Sequence, residues 1–167
     1  FRGATLSPDG RHLAVLRRDD VGDVLMVVNM ETRRATPIQR ARADQSLEIS
    51  QVGFANNSRL VFRLIQRNRV VADTGGSIHN RNRRIDDGFE TNTRIYASNL
   101  DGSNLVQLYD PSALQQYLDA GIISDLPRDE EHILLIVPTQ CGAEVGRVNV
   151  NTGQYERVEN ARFRTLH

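Results

Sequence analysis

Three short apolar runs along the chain each follow a polar turn, and the three copies have the same layout. The first reads LSPDGRHLAVL at 6–16, the second GFANNSRLVFRL at 53–64 and the third DLPRDEEHILLIV at 125–137. Within each run the apolar residues are nearly continuous rather than alternating, the pattern of a strand covered on both faces. A second pair of runs around another turn follows each copy: VLMVVNMETRRATPI, RIYASNLDGSNLVQLY and GRVNVNTGQYERV. Pro8 sets φ for a tight turn at 7–10, and Gly102 and Gly153 stand where hairpin turns need positive φ. The segment 30–34 holds the same place in the first copy with looser turn chemistry.

A repeated unit of four short antiparallel strands predicts an all-β chain of about three β-propeller blades, a partial propeller. With Asp9, Asn57 and Asp129 as anchors, the copies lie 48 and 72 residues apart, against about 40–50 for a typical blade. The expected blades are 1–48, 49–110 and 122–163. Two insertions account for the longer interval. One, at 68–92, is rich in Gly, Asn and mixed charge and reads as a loop inside the second blade. The other, at 110–121, offers Asp110 as N-cap, Pro111 at the first helical position and Gly121 as the stop, with Leu114 and Leu118 on one face. That predicts one short helix in the connection between blades.

The bulk numbers narrow the function classes. The 167 residues are too few for a large propeller with a catalytic domain attached. Twenty-one basic and 21 acidic residues cancel, so no global field points to nucleic acid or an anionic membrane. Every basic residue is arginine, spread along the chain as a GC-rich bacterial genome would leave it. Cys141 is the sole cysteine and no apolar run is long enough to span a membrane, which leaves bacterial periplasm and cytoplasm both open. The chain starts at Phe1 without an export signal, and three blades do not close a ring. An excised piece that self-associates is the expectation.

LSPDGRHLAVL at 6–16 with the later hairpin RIYASNLDGSNLVQLYD at 94–110 resembles the propeller repeats of the prolyl oligopeptidase family of serine peptidases. The arrangement is most similar to bacterial acylaminoacyl-peptidase and dipeptidyl-peptidase relatives, over nearly all of the chain outside the insertions. The resemblance implies a propeller that caps an α/β-hydrolase domain of the same parent chain and restricts access to its Ser-Asp-His triad, so that peptides reach it and folded proteins do not. The Ser-Pro-Asp-Gly turn also occurs in the periplasmic propeller of the Tol system, which implies a non-enzymatic interaction scaffold instead. A Gly-x-Ser-x-Gly elbow is missing here: Gly76-Ser77-Ile78-His79 lacks the second glycine and a strand-to-helix context. No catalytic residue carries over, and the chain by itself is expected not to be an enzyme and to need no cofactor.

Candidate chemistry is sparse. His12 and His132 fall three residues after their anchors, where the second copy has Leu60, which reads as a packing position. With His79 and His167 they show no metal-ligand spacing. Asp9, Asp19, Asp20 and Asp23 do not match a calcium loop; turn duty for Asp9 and a solvated hairpin for the others is the reading. Arg69, Arg81, Arg83 and Arg84, with Arg67 nearby, form the one cluster with a binding rationale: bidentate capture of a peptide carboxylate from a loop. The competing reading is a solvated loop balanced by Asp73, Asp86, Asp87 and Glu90.

Overall fold

The computed structural model describes residues 1–69, 85–86, 89–110, 120–139 and 142–162, and these form three antiparallel sheets in chain order. Sheet one contains β1 (Gly3–Leu6), β2 (His12–Arg18), β3 (Gly22–Asn29) and β4 (Ala35–Arg42), each paired with the next. Sheet two is built from β5 (Leu47–Phe54), β6 (Arg59–Arg69), the two-residue β7 (Ile85–Asp86), β8 (Phe89–Asn99) and β9 (Val106–Tyr109). Both β7 and β9 pair with β8, at separate places along it. Sheet three repeats the simple order with β10 (Gly121–Ser124), β11 (His132–Thr139), β12 (Gly142–Asn149) and β13 (Tyr155–Arg162). Four-stranded antiparallel units are therefore what the repeat specifies.

Connections between consecutive strands put two kinds of turn at one end of each sheet, called here the turn end: those joining strands one and two, and three and four. Gly10 (φ 72), Gly102 (φ 83) and Gly153 (φ 75) occupy these turns with the positive φ expected of them, whereas sheet one places Arg33 at φ 56. The opposite hairpin end has the links between strands two and three and between sheets. Sheets one and two are joined there by a single 3-10 turn, Ala43–Gln45, the only helical element among the described residues. The helix expected at 110–121 falls on residues 111–119, outside the described residues.

The strand register corrects the alignment of the second copy by one residue. β2 begins with His12 opposite Asn29, β11 with His132 opposite Asn149, and β6 with Arg59 opposite Asn99. The counterpart of the two histidines is Arg59, not Leu60, because the turn of sheet two is one residue shorter. Asn56, not Asn57, then matches Asp9 and Asp129: each side-chain oxygen accepts the backbone N–H two residues on, from Ser58, Arg11 and Glu131. The ladder between β6 and β8 also runs on to Arg69 opposite Phe89, so both ends of the segment read as a loop are strand.

Two hydrophobic clusters fill the seams between sheets. Leu60 and Phe62 of β6 enter the seam with sheet one, beside Ala14, Leu16, Leu25 and Val27. Val61 enters the seam with sheet three, where Ile133, Leu135, Val137 and Val148 meet it. Alternation within β6 thus feeds two cores, which is why its sequence shows no alternation of polarity. Sheet three buries one face only: Ile133, Leu135 and Val137 are 0–1% exposed, while Ile136 between them is 39% exposed. Each fully buried aliphatic side chain contributes roughly 1.5–3 kcal/mol through area removed from water.

Candidate functional site

The first strands of the three sheets converge on a common concave wall. β1 lies against β5, and a groove of about 510 Å³ at the turn end is bounded by residues of β1, β5 and the β10 region, with Leu6, Phe54, Ile122 and Asp125 on its walls. A second cavity of about 360 Å³ shares Phe54, Ile122 and Asp125 and reaches between sheets two and three to Val61 and Ile133. Both inner strands that frame it are bulged. β5 slips register between Ile49 and Val52, and β10 between Ile122 and Ser124. A bulge takes residues out of the ladder and bends the strand, a device common beside binding sites. Across the gap the Ile122 N–H donates to Gln51 Oε1 at 3.3 Å.

Polar side chains hold the wall in place from the seams. Asp23 is 1% exposed; its Oδ2 accepts from Arg2 Nη1 at 2.7 Å and from the Ile49 backbone N–H at 3.1 Å. Arg2 also donates to Glu48, at 2.8 Å. Those bonds to Glu48 and Asp23 raise the Arg2 guanidinium above its ordinary value. Asp23 is therefore not part of a solvated hairpin, as its run of neighbouring acids suggested. Asp19 does have a turn role, accepting from the N–H groups of Val21 and Gly22. At the turn end Arg59, 3% exposed, donates to Asn99 Oδ1 (2.9 Å), to the Asn104 carbonyl (3.0 Å) and across the seam to the Val150 carbonyl. Burial lowers its pKa.

The described histidines are engaged in structure. His12 Nε2 lies 3.4 Å from Asn29 Nδ2, and His132 Nδ1 lies 2.9 Å from Asp129 Oδ1. Arg147 and His132 together hold the Asp129 carboxyl well below the usual carboxylate range. No cluster of three or more His, Cys, Asp or Glu that could hold a metal occurs among the described residues. Of the expected arginines, Arg69 ends β6 at the hairpin end, opposite Phe89; Arg81, Arg83 and Arg84 lie outside the described residues. Arg67 is exposed, with Nη2 3.9 Å from Glu48 Oε2. Sequence reading missed the groove itself, since neither its bulges nor the convergence of three first strands leaves a local motif.

Fold and wall together define three consecutive β-propeller blades. No sequence-family profile and no curated protein matches the chain by sequence. Solved structures do resemble it. Pyrococcus horikoshii acylaminoacyl peptidase aligns over 94% of this chain and 24% of its own, with TM-score 0.61 and 15% identity. The β-propeller domain of the trilobed protease from Pyrococcus furiosus aligns over 94% and 42%, with TM-score 0.57 and 12% identity. TolB from Acinetobacter baumannii aligns over 93% and 31%, with TM-score 0.56 and 12% identity. The chain thus spans about a quarter of the acylaminoacyl peptidase it matches. Peptidase propellers of the kind its repeats resemble are among its structural neighbours, and at these identities what is shared is the fold.

Proposed function

We propose that these blades are the propeller part of a serine peptidase similar to the prolyl oligopeptidase family, admitting and orienting peptides for an α/β-hydrolase domain of the same parent chain. The observation that carries this reading is the concave wall itself: three first strands converge on an open groove of about 510 Å³. Arg69, Arg81, Arg83 and Arg84 are the residues whose guanidinium groups would meet peptide carboxylates. The isolated chain is further expected to pair through the outward face of sheet three, where Ile136 and Val158 are exposed.

Reaction of the intact parent protein with a fluorophosphonate probe tests the reading. Labelling of a serine outside these 167 residues, with short peptides cleaved and the same site in a folded protein spared, is the expected result. An unlabelled parent that retains folded protein partners would favour the second reading, an interaction scaffold, which the likeness to TolB supports. Light scattering on the isolated chain should show a dimer, and a strict monomer at high concentration would remove the pairing.

A further inference from the structure

The groove at the turn end differs in charge from the rest of the molecule. The chain has 21 arginines, yet none among the described residues lines the groove or the cavity it leads into. Among the described residues, Asp125 is the one ionisable side chain on either wall, and it has no hydrogen-bond or ion-pair partner there. Around it the wall is apolar and open: Leu6 is 53% exposed and Ile123 50%, facing Phe54 and Ile122. Burial continues inward to Val61 and Ile133 at 2% and 1%. Asp125 is exposed, and a carboxylate without a bonded partner keeps both oxygens free to accept from a cation.

The bulges supply the remaining recognition chemistry. They take Ser50, Gln51 and Ile123 out of one-to-one register with the neighbouring strand and bend the inner strands where they line the groove. Ser50 Oγ is buried without a hydrogen-bond partner on the cavity wall. Gln51 uses its oxygen on the Ile122 N–H, which leaves its amide nitrogen to donate. An extended peptide can hydrogen-bond to polar side chains of this kind along the wall.

We propose that this groove binds a short extended peptide segment in which a positive charge stands beside an apolar side chain. The cation lies on Asp125, and the apolar side chain sits between Leu6, Phe54 and Ile123 and points toward Val61. This deepens the peptide-handling reading, on which the choice of a peptide as carrier rests. An amino terminus and a lysine or arginine side chain share the required chemistry.

Fluorescence anisotropy on the chain itself at low salt tests it, using isoleucyl-leucyl-triglycine labelled at its carboxyl end. Four forms serve as probes: free amino terminus, N-acetylated, acetylated with the isoleucine replaced by lysine, and acetylated with it replaced by glutamate. The free form should bind, and acetylation should weaken it at least tenfold. Asp125→Asn and Asp125→Arg should each cost at least tenfold, and Ile123→Ser about threefold with the charge dependence retained. Recovery by the lysine form identifies a side-chain cation as sufficient; absence of recovery assigns the site to the terminal ammonium. Equal binding of the glutamate form, indifference to both Asp125 variants, or no binding at millimolar protein would overturn the proposal. An unlabelled parent in the fluorophosphonate experiment with charge-dependent binding here would sink the peptidase reading alone.

Discussion

The two seams between sheets are built from the same repeat but anchored differently, the first at both ends and the second at the turn end. In the first, a buried acid at the hairpin end, Asp23, fastens β5 of the next sheet through the Ile49 amide, and the Asp9 N–H donates to Asn57 Oδ1 at the turn end. The second is fastened at the turn end, by Arg59 to the Val150 carbonyl and Asn56 to the Glu130 carbonyl. Counting the same number of rungs from His12↔Asn29 and from Arg59↔Asn99 puts Thr93 at the place of Asp23. Their cores differ as well: Phe54, Phe62 and Tyr96 pack in the first seam, whereas the second is mainly aliphatic. A repeat, then, fixes the packing faces of its strands, while single substitutions decide where a seam is pinned and where it opens into a groove.

The largest test of this contrast lies in the cores. Phe62→Ala should destabilise by about 3–5 kcal/mol and Leu135→Ala by about 2–5 kcal/mol in denaturant unfolding, since both residues are 0–1% exposed and Phe62 stacks on Tyr96 at 5.8 Å. A silent substitution would mean that the corresponding seam is not packed. Next comes Arg59→Ala, with an expected loss of about 3 kcal/mol, because it removes charge-assisted bonds to three acceptors of which two are backbone carbonyls. Retention of full stability would show that the second seam is held by its aliphatic core alone.

Asp23→Ala should cost less, about 2 kcal/mol, because the Arg2 side chain it strands is one-third exposed and can turn to water. Its signature is local: hydrogen exchange at the Ile49 amide accelerates while amides of β11 keep their rates. Uniform acceleration across all three sheets would argue against a seam-specific anchor. The smallest effect is the acid limb. The Asp129 carboxyl is depressed in the folded state by Arg147 and then His132, so its stabilisation is present above the ordinary carboxylate range and disappears as pH falls below about 4. Asp129→Asn should flatten the acid-side slope of stability against pH, and an unchanged slope would remove this pair from the account.

Fold legibility follows the same division. Ser-Pro-Asp-Gly and Asn-Leu-Asp-Gly mark their turns locally, and the continuous apolar runs mark strands with two covered faces, so three four-stranded units were readable. The one-residue offset at Arg59 was not, since a turn one residue shorter leaves an equally plausible alignment on Leu60. The acidic neighbours Asp19 and Asp20 suggest a solvated Asp23; its burial depends on Arg2 and on the Ile49 amide, which lie far from it in the chain.

What the sequence determined by itself was therefore the local chemistry: turn residues that accept only certain φ values, strand-length apolar runs, and the repetition that makes each unit need a neighbour. What the tertiary structure alone decided was which polar groups lose their water and which stay open. Arg59 and Asp23 are buried, and Asp125 is left on an apolar groove without a partner among the described residues. Desolvation is a property of the seam between units, and a seam is made by residues far apart in the chain, which no single stretch of it can encode.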